Sequence, residues 1–187
     1  MTEWLAIGAA AFAGLCVACL AVLHVSPTGY SPIANAVSEY GVGPYGRWYR
    51  LQATCAGIAA VLLAAALARG VDPAPRRTIV LLVVFALARF AITQFPTDLI
   101  EAREHSRTGG IHLLLAAVAF AAMSVAGVTL KQPQHGQPAL GWAMLATAVG
   151  TSVAVRNAAL RPFLGLIERG FYVSMLGWLV LVAVRLA

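Results

Sequence analysis

The chain has 187 residues, of which 60% are hydrophobic and only 11% are charged, and its formal net charge is +6. Soluble domains contain roughly 45–50% apolar and about 25% charged residues, so the composition argues against a soluble domain, a coiled coil, a disordered chain and a signal peptide followed by a soluble domain. The 13 Lys and Arg residues are scattered among apolar runs rather than clustered. This distribution argues against nucleic acid as a partner and favours anchoring at lipid headgroups.

Apolar runs long enough to cross a bilayer as helices, at about 20 residues each, follow one another along the chain. They cover residues 5–23, 48–67, 78–95, 111–130, 139–155 and 170–186. We therefore predict an all-α, polytopic integral membrane protein, a six-transmembrane-helix bundle forming one membrane domain over residues 1–187. The first run is not expected to be a cleaved signal, because the residues before it include Glu3 and no Lys or Arg. Small residues four apart, such as Ala10 with Gly14 and Ala53 with Gly57, favour close helix packing.

Three connections between the runs, residues 24–47, 96–110 and 156–169, lie on one side of the membrane if every run crosses it, and we call this side the motif face. It has more Lys and Arg than the opposite side, which by itself predicts a cytoplasmic motif face. Most of the acidic residues lie there too, and they can hold the arginines in ion pairs. Arginines held in ion pairs do not steer insertion, so the Lys and Arg count does not decide the orientation. We therefore predict the opposite orientation, in which both termini are cytoplasmic.

Arg89 is a charged residue inside the third run. It lies about six residues before the end of that run, roughly 9 Å deep at about 1.5 Å per residue. A charge inside a membrane span costs on the order of 2.5–3.5 kcal/mol, so we expect the guanidinium to face the bundle and to meet a carboxylate or carbonyl groups. Two roles stay open, a clamp for an anion or lipid headgroup and a structural pair that holds three helices together.

The first motif-face connection has the pattern of a short helix. Ser31 and Pro32 suit the cap and the first position of a helix, and Gly41 suits its end. This places Ser38 and Glu39 at the C-terminus, where an acid faces the negative end of the dipole and needs a cation. Ser38 is a candidate catalytic nucleophile or hydroxyl ligand, and Glu39 a candidate base or ligand-binding residue. Alternatively, both residues only tie the connection to the bundle.

Two further catalytic candidates are Asp98 in the second motif-face connection and His112 directly after it. Asp98 followed by Glu101 resembles a capping box, which would explain the acid without any chemistry. His112, just inside the fourth run, can shuttle protons or bind a metal if an acid is near, whereas a bond to a carbonyl would make it structural. The possible metal ligands on this face are His24, Glu39, Asp98, His105, His112 and Glu168. Because their spacing matches no zinc signature, we expect no metal and no cofactor.

The third motif-face connection completes a set of charged candidates. Glu168 opens the last run, where an acid suits the positive end of the helix dipole, and Arg169 beside it is expected to reach across to an acid. The predicted ligand-binding residues are Glu39, Arg89, Arg156, Glu168 and Arg169.

Three segments together resemble a known family. They are SEYG at residues 38–41, FPTD at 95–98 with GIH at 110–112, and GLIER at 165–169. In this order they are similar to the bacterial six-helix membrane family catalogued as domain of unknown function 998, over nearly the whole chain. The resemblance implies a small protein of the bacterial inner (plasma) membrane and brings no established activity. The motif positions that match the family are Ser38, Glu39, Asp98, His112, Glu168 and Arg169.

Two classes of function fit these observations. The first is a binding or accessory protein whose motif face holds a lipid headgroup, a small amphiphile or a partner membrane protein, and it requires only paired charges on one face. The second is an intramembrane, hydrolase-like enzyme in which Ser38 or a water activated by His112 attacks a lipid substrate and Asp98 or Glu39 orients the histidine. That reaction needs Ser38 or Asp98 within about 3 Å of His112. Membrane lipids are the expected partners, and we rank the binding role first.

Overall fold

The protein is all-α in a computed structural model, which describes residues 1–99, 106–130 and 138–187. The long helices are α1 (Thr2–Val25), α2 (Gly46–Gly70), α3 (Arg76–Ile92), α4 (Arg107–Thr129), α5 (Pro138–Arg156) and α6 (Leu164–Val184). Two short 3-10 helices, Val37–Gly41 and Arg161–Phe163, precede α2 and α6.

The helices are those of a multi-pass membrane protein. Within the described residues, 5 helices are long and apolar enough to cross a membrane, and α3 is the long helix outside this group. It has 17 residues, which corresponds to about 26 Å, slightly less than the roughly 30 Å of a typical hydrocarbon core. The third run was predicted to continue to residue 95, but the helix ends at Ile92 and a turn follows. The all-α prediction is thus confirmed, whereas helix length does not establish six crossings.

The helices pack as a closed ring. Each contacts its neighbours in sequence, α1 contacts α6, and α6 also contacts α2 and α4 across the ring. Ala53 and Gly57 are buried as predicted, and a methyl group at position 57 would collide with the Phe90 ring. In α1 the prediction was wrong, because Gly14 is exposed and the neighbouring Ala13 is buried instead.

The connection between α1 and α2 folds onto the start of α6. The backbone N–H of Leu166 donates to the carbonyl of Ile33 at 2.9 Å. The single short helix predicted here is wrong: residues 32–35 form a turn and a 3-10 helix begins only at Val37. Glu39 consequently lies in the first turn of that helix, not at its C-terminus, and its carboxylate accepts from the N–H of Ala36 at 2.8 Å.

Candidate functional site

A cavity of about 320 Å³ on the motif face brings together residues from all three motif-face connections. Its polar lining includes the three catalytic candidates Ser38, Asp98 and His112. Glu168 and Arg161 line it as well. We call it the His112 cavity.

The other walls of the His112 cavity are apolar. His112, Ala116 and Phe120 are spaced four residues apart on α4, so they lie one above the other on the same helix face. The Phe120 ring stacks on that of Phe171 with 3.9 Å between centroids. Eight residues of helix separate His112 from Phe120, about 12 Å at about 1.5 Å per residue. The cavity therefore combines a polar end, near the start of α4, with an apolar wall that extends along this helix.

The His112 side chain is 3% exposed and is held through one ring nitrogen. Nδ1 lies 2.7 Å from the carbonyl oxygen of Phe95, and the ring stacks on that of Tyr49 at 6.2 Å. A carbonyl can only accept, so Nδ1 carries the proton and Nε2 of the neutral ring has a lone pair. Nε2 is buried and has no hydrogen-bond partner within the described part of the chain. This nitrogen can accept a hydrogen bond from a ligand or take a proton.

Asp98 holds the beginning of α4 in place. Its two carboxylate oxygens accept from the backbone N–H and the hydroxyl of Ser106 at 2.8 and 2.7 Å. The same hydroxyl caps α4 by accepting from the N–H of Gly109 at 2.9 Å. Asp98 thus has a structural role beside its place in the cavity lining. Its predicted capping partner, Glu101, lies outside the described residues.

Glu168 and Glu39 both anchor the 3-10 helix that contains Ser38. Glu168 is 6% exposed and accepts from the N–H of Val37 at 2.7 Å. Glu39 accepts from the side-chain amide of Asn35 at 3.0 Å in addition to the N–H of Ala36. The two acids fix Ser38 at the cavity, and of the two only Glu168 lines it.

Arg89 lies away from the cavity lining, buried between three helices. Its Nη2 donates to the amide carbonyl of Gln52 in α2 at 2.9 Å, and its Nη1 donates to the Tyr172 hydroxyl in α6 at 3.3 Å. A carbonyl group was one of the two kinds of partner predicted for Arg89. These bonds join α3 to α2 and α6, which is the geometry of a structural strut, and the ligand-binding assignment of Arg89 stays a prediction.

Arg169 faces α1 instead of the His112 cavity. Nε donates to Nε2 of His24 at 2.6 Å, and Nη1 donates to the carbonyls of Asn35 and Gly165, each at 2.9 Å. Nη2 donates to the Tyr40 hydroxyl at 3.2 Å. Arg156 is exposed at the end of α5, and its ligand-binding role also stays a prediction.

Comparison with known proteins identifies the family. The family model described as protein of unknown function DUF998 matches residues 9–185. The chain belongs to the DUF998 family. Neither the curated proteins nor the solved structures give a match to this chain. The resemblance seen in the sequence motifs is thereby confirmed.

In this DUF998 protein some cavity residues were not predicted as site residues. Arg161 lines the His112 cavity and donates to the carbonyl of Val155 at 3.3 Å. Phe120 was missed because an aromatic residue inside an apolar run looks like any other core residue. Among the described residues, no group of three or more His, Cys, Asp and Glu side chains could hold a metal ion. His105, one of the possible ligands, lies outside them.

Proposed function

We propose that this DUF998 protein binds a lipid-like or small amphiphilic ligand in the His112 cavity. The observation that carries the proposal is the combination of a polar end and an apolar wall in one cavity. Ligand sites in proteins are mostly apolar, with a few placed polar groups that fix orientation. The cavity has this composition, and its polar end lies on the motif face.

The size and the polar groups of the cavity restrict the ligand. About 320 Å³ is near the lower end of the roughly 300–1,000 Å³ of small-molecule sites, so the cavity suits a headgroup and the first part of one chain. Asp98 and Glu168 contribute carboxylates, Ser38 a hydroxyl, His112 an imidazole and Arg161 a guanidinium. Carboxylates together with a guanidinium suit a polar head that carries both hydrogen-bond donors and acceptors.

Two substitutions on adjacent residues of α4 test this proposal. Ala116→Trp fills the cavity, whereas Ala117→Trp adds the same side chain on the exposed side of the helix. Native mass spectrometry of the detergent-purified protein, followed by extraction of the retained ligand, should show it in the wild type and in Ala117→Trp. We expect Ala116→Trp to have lost it. Retention by Ala116→Trp, or no retained ligand in the wild type after incubation with a total lipid extract, would refute the proposal.

A second candidate function is hydrolysis of a lipid ester or amide within the membrane. The specific observation in its favour is the unpartnered Nε2 of His112 in a cavity that Ser38 also lines. In this reaction Nε2 takes the proton of the Ser38 hydroxyl or of a water while the oxygen attacks the substrate carbonyl. The C–O or C–N bond of the substrate then breaks and the proton passes to the leaving alcohol or amine. Where Ser38 attacks, a water deprotonated by the same nitrogen then hydrolyses the acyl-Ser38 ester and releases the acid. The Phe95 carbonyl, not an acid, would orient the histidine in the arrangement seen here.

Hydrolysis can be separated from binding with purified protein and a fluorogenic medium-chain acyl ester. Turnover that is lost in both Ser38→Ala and His112→Gln, while the ligand is still retained, would favour the enzyme. No turnover above background with the wild type would leave the binding function alone.

We also propose that α3 crosses the membrane as the sixth span, with both termini in the cytoplasm of a bacterial cell and the bundle in the inner membrane. A helix slightly shorter than the bilayer is accommodated by local thinning. Arg76 and Arg77 at one end of α3 can reach the headgroups. Fusions of a reporter that fluoresces only in the cytoplasm test the placement of the C-terminus.

A further inference from the structure

A second site lies on another side of α6, where α1 and α6 form an apolar groove. The groove has a volume of about 590 Å³, and His24 and Arg169 lie at one end of it. The residues that line it differ from those that line the His112 cavity. It is therefore a separate feature that the proposed function does not use.

The groove follows one face of each helix. On α6, the residues Val173, Leu176 and Val180 lie below Arg169 at helical spacing, and on α1 Val17 and Leu20 lie below His24 in the same way. From Arg169 to Val180 the helix rises by about 16 Å at about 1.5 Å per residue. Val173 is 73% exposed and Val17 is 50% exposed, so the groove opens to the surrounding bilayer.

The polar end of the groove carries a positive charge. A guanidinium has five N–H groups, and within the described part of the chain the hydrogen bonds of Arg169 go to His24, Tyr40 and two backbone carbonyls. His24 accepts through Nε2 while its Nδ1 lies 2.5 Å from the carbonyl of Leu20, so the ring is neutral. These bonds orient the guanidinium with neutral acceptors, and the acid that interacts with it electrostatically, Glu168, lines the His112 cavity and not the groove.

We propose that this groove binds an anionic phospholipid of the surrounding bilayer, with the phosphate against Arg169 and one acyl chain along α1 and α6. The cation lies about five residues inside α6, or roughly 7–8 Å from its first residue. It is therefore near the level of the lipid phosphates, with which a guanidinium forms charge-assisted hydrogen bonds. Below it the described lining is apolar apart from Tyr172, whose hydroxyl accepts from Arg89, and it suits an acyl chain. The charge at the head and the apolar length below it together select a lipid that is both anionic and acylated.

The test measures lipid preference in the whole protein. The purified chain is incubated in mild detergent with equal amounts of phosphatidylglycerol and phosphatidylcholine, and the retained lipids are counted by native mass spectrometry. We expect the wild type and Arg169→Lys to prefer phosphatidylglycerol. Arg169→Gln should lower that preference by about fivefold, the effect expected of one basic side chain near an anionic surface.

A second pair of variants leaves the hydrogen bonds of Arg169 intact. Val173→Trp obstructs the groove and should reduce the retention of phosphatidylglycerol, whereas Val149→Trp on the exposed side of α5 should not. The proposal is overturned if the wild type retains both lipids equally or neither. It is also overturned if folded Arg169→Gln keeps the preference, or if Val173→Trp binds as the wild type does. Val173 neither lines the His112 cavity nor bonds the connection that contains Ser38, so the ligand retained in that cavity by Val173→Trp tests the proposed function separately.

Discussion

The contact between Arg89 and Gln52 allows a quantitative test of whether the buried arginine has a structural role in holding the helices together. The perturbations are Gln52→Leu, Arg89→Met and the double variant. Gln52→Leu removes the acceptor that lies 2.9 Å from Nη2, and a hydrogen bond to a charged group contributes about 1.5–3 kcal/mol. We expect this variant to lose about that much free energy of unfolding, because Arg89 is 2% exposed and water cannot replace the acceptor.

The double variant is expected to recover most of the loss. Arg89→Met alone has two opposing effects on the free energy of unfolding. It stabilises the fold by removing a buried charge, which costs about 2.5–3.5 kcal/mol in a span. It destabilises the fold by leaving the amide carbonyl of Gln52 without its donor. When both partners are replaced, neither group of the pair is left unsatisfied. The thermodynamic cycle should therefore give a coupling of about 1.5–3 kcal/mol between the two positions.

The assay is unfolding of the purified protein by titration with sodium dodecyl sulfate in mixed micelles, followed by tryptophan fluorescence. Thr54→Leu serves as the matched control on α2, because within the described part of the chain the Thr54 hydroxyl bonds only to the carbonyl of Arg50 in its own helix. The changes in the free energy of unfolding caused by Thr54→Leu and Arg89→Met should therefore be additive. If the losses in free energy of unfolding caused by Gln52→Leu and Arg89→Met simply add up in the double variant, the reasoning is refuted. Loss of the ligand of the His112 cavity in Arg89→Met would instead favour the headgroup clamp.

Other predictions concern the start of α4 and the topology. Gly109→Ala should be about 2 kcal/mol less stable than Gly110→Ala, because a methyl group at 109 collides with the Asp98 carboxylate and breaks its bonds to Ser106, whereas nothing lies within 4 Å of one at 110. Equal unfolding midpoints for the two variants would contradict this. Ser106→Ala should cost about 1 kcal/mol through the lost helix cap, measured by the same titration, and an unchanged midpoint would show that the cap contributes nothing. A green fluorescent protein fused after the last residue should fluoresce in bacterial cells, and a dark but stable fusion would place that end outside the cytoplasm.

The sequence predicts helices well here because each is an apolar run of nearly the length that a bilayer requires. It does not predict which face of a run is buried, because lipid and protein interior are both apolar and select similar side chains. Gly14 was assigned to the packing face for its small size, yet Ala13 is buried. The end of α3 was placed too late because the run was extended to Phe95, although the polar residues Thr93 and Gln94 lie before it and the helix ends at Ile92.

The sequence predicts which residues belong to the candidate site better than it predicts how they are arranged. Ser38, Asp98 and His112 are polar residues next to apolar runs, which marked them individually. Their meeting at one cavity depends on how the first connection folds onto α6, and this follows from backbone hydrogen bonds that no motif encodes. Glu168 and Arg169 were grouped together as neighbours, but successive helical residues point about 100° apart. One faces the His112 cavity and the other faces α1.

The short 3-10 helix before α2 serves as a partition between two compartments. Val37 lines the groove on one side and Ser38 lines the His112 cavity on the other, while Glu168 and Arg169 hold this segment from below. A molecule that displaces the backbone at Val37 must displace Ser38 as well, since one peptide bond joins them. If a lipid in the groove changes the affinity of the His112 cavity for its ligand through this segment, that ligand must change the affinity of the groove for the lipid by the same factor.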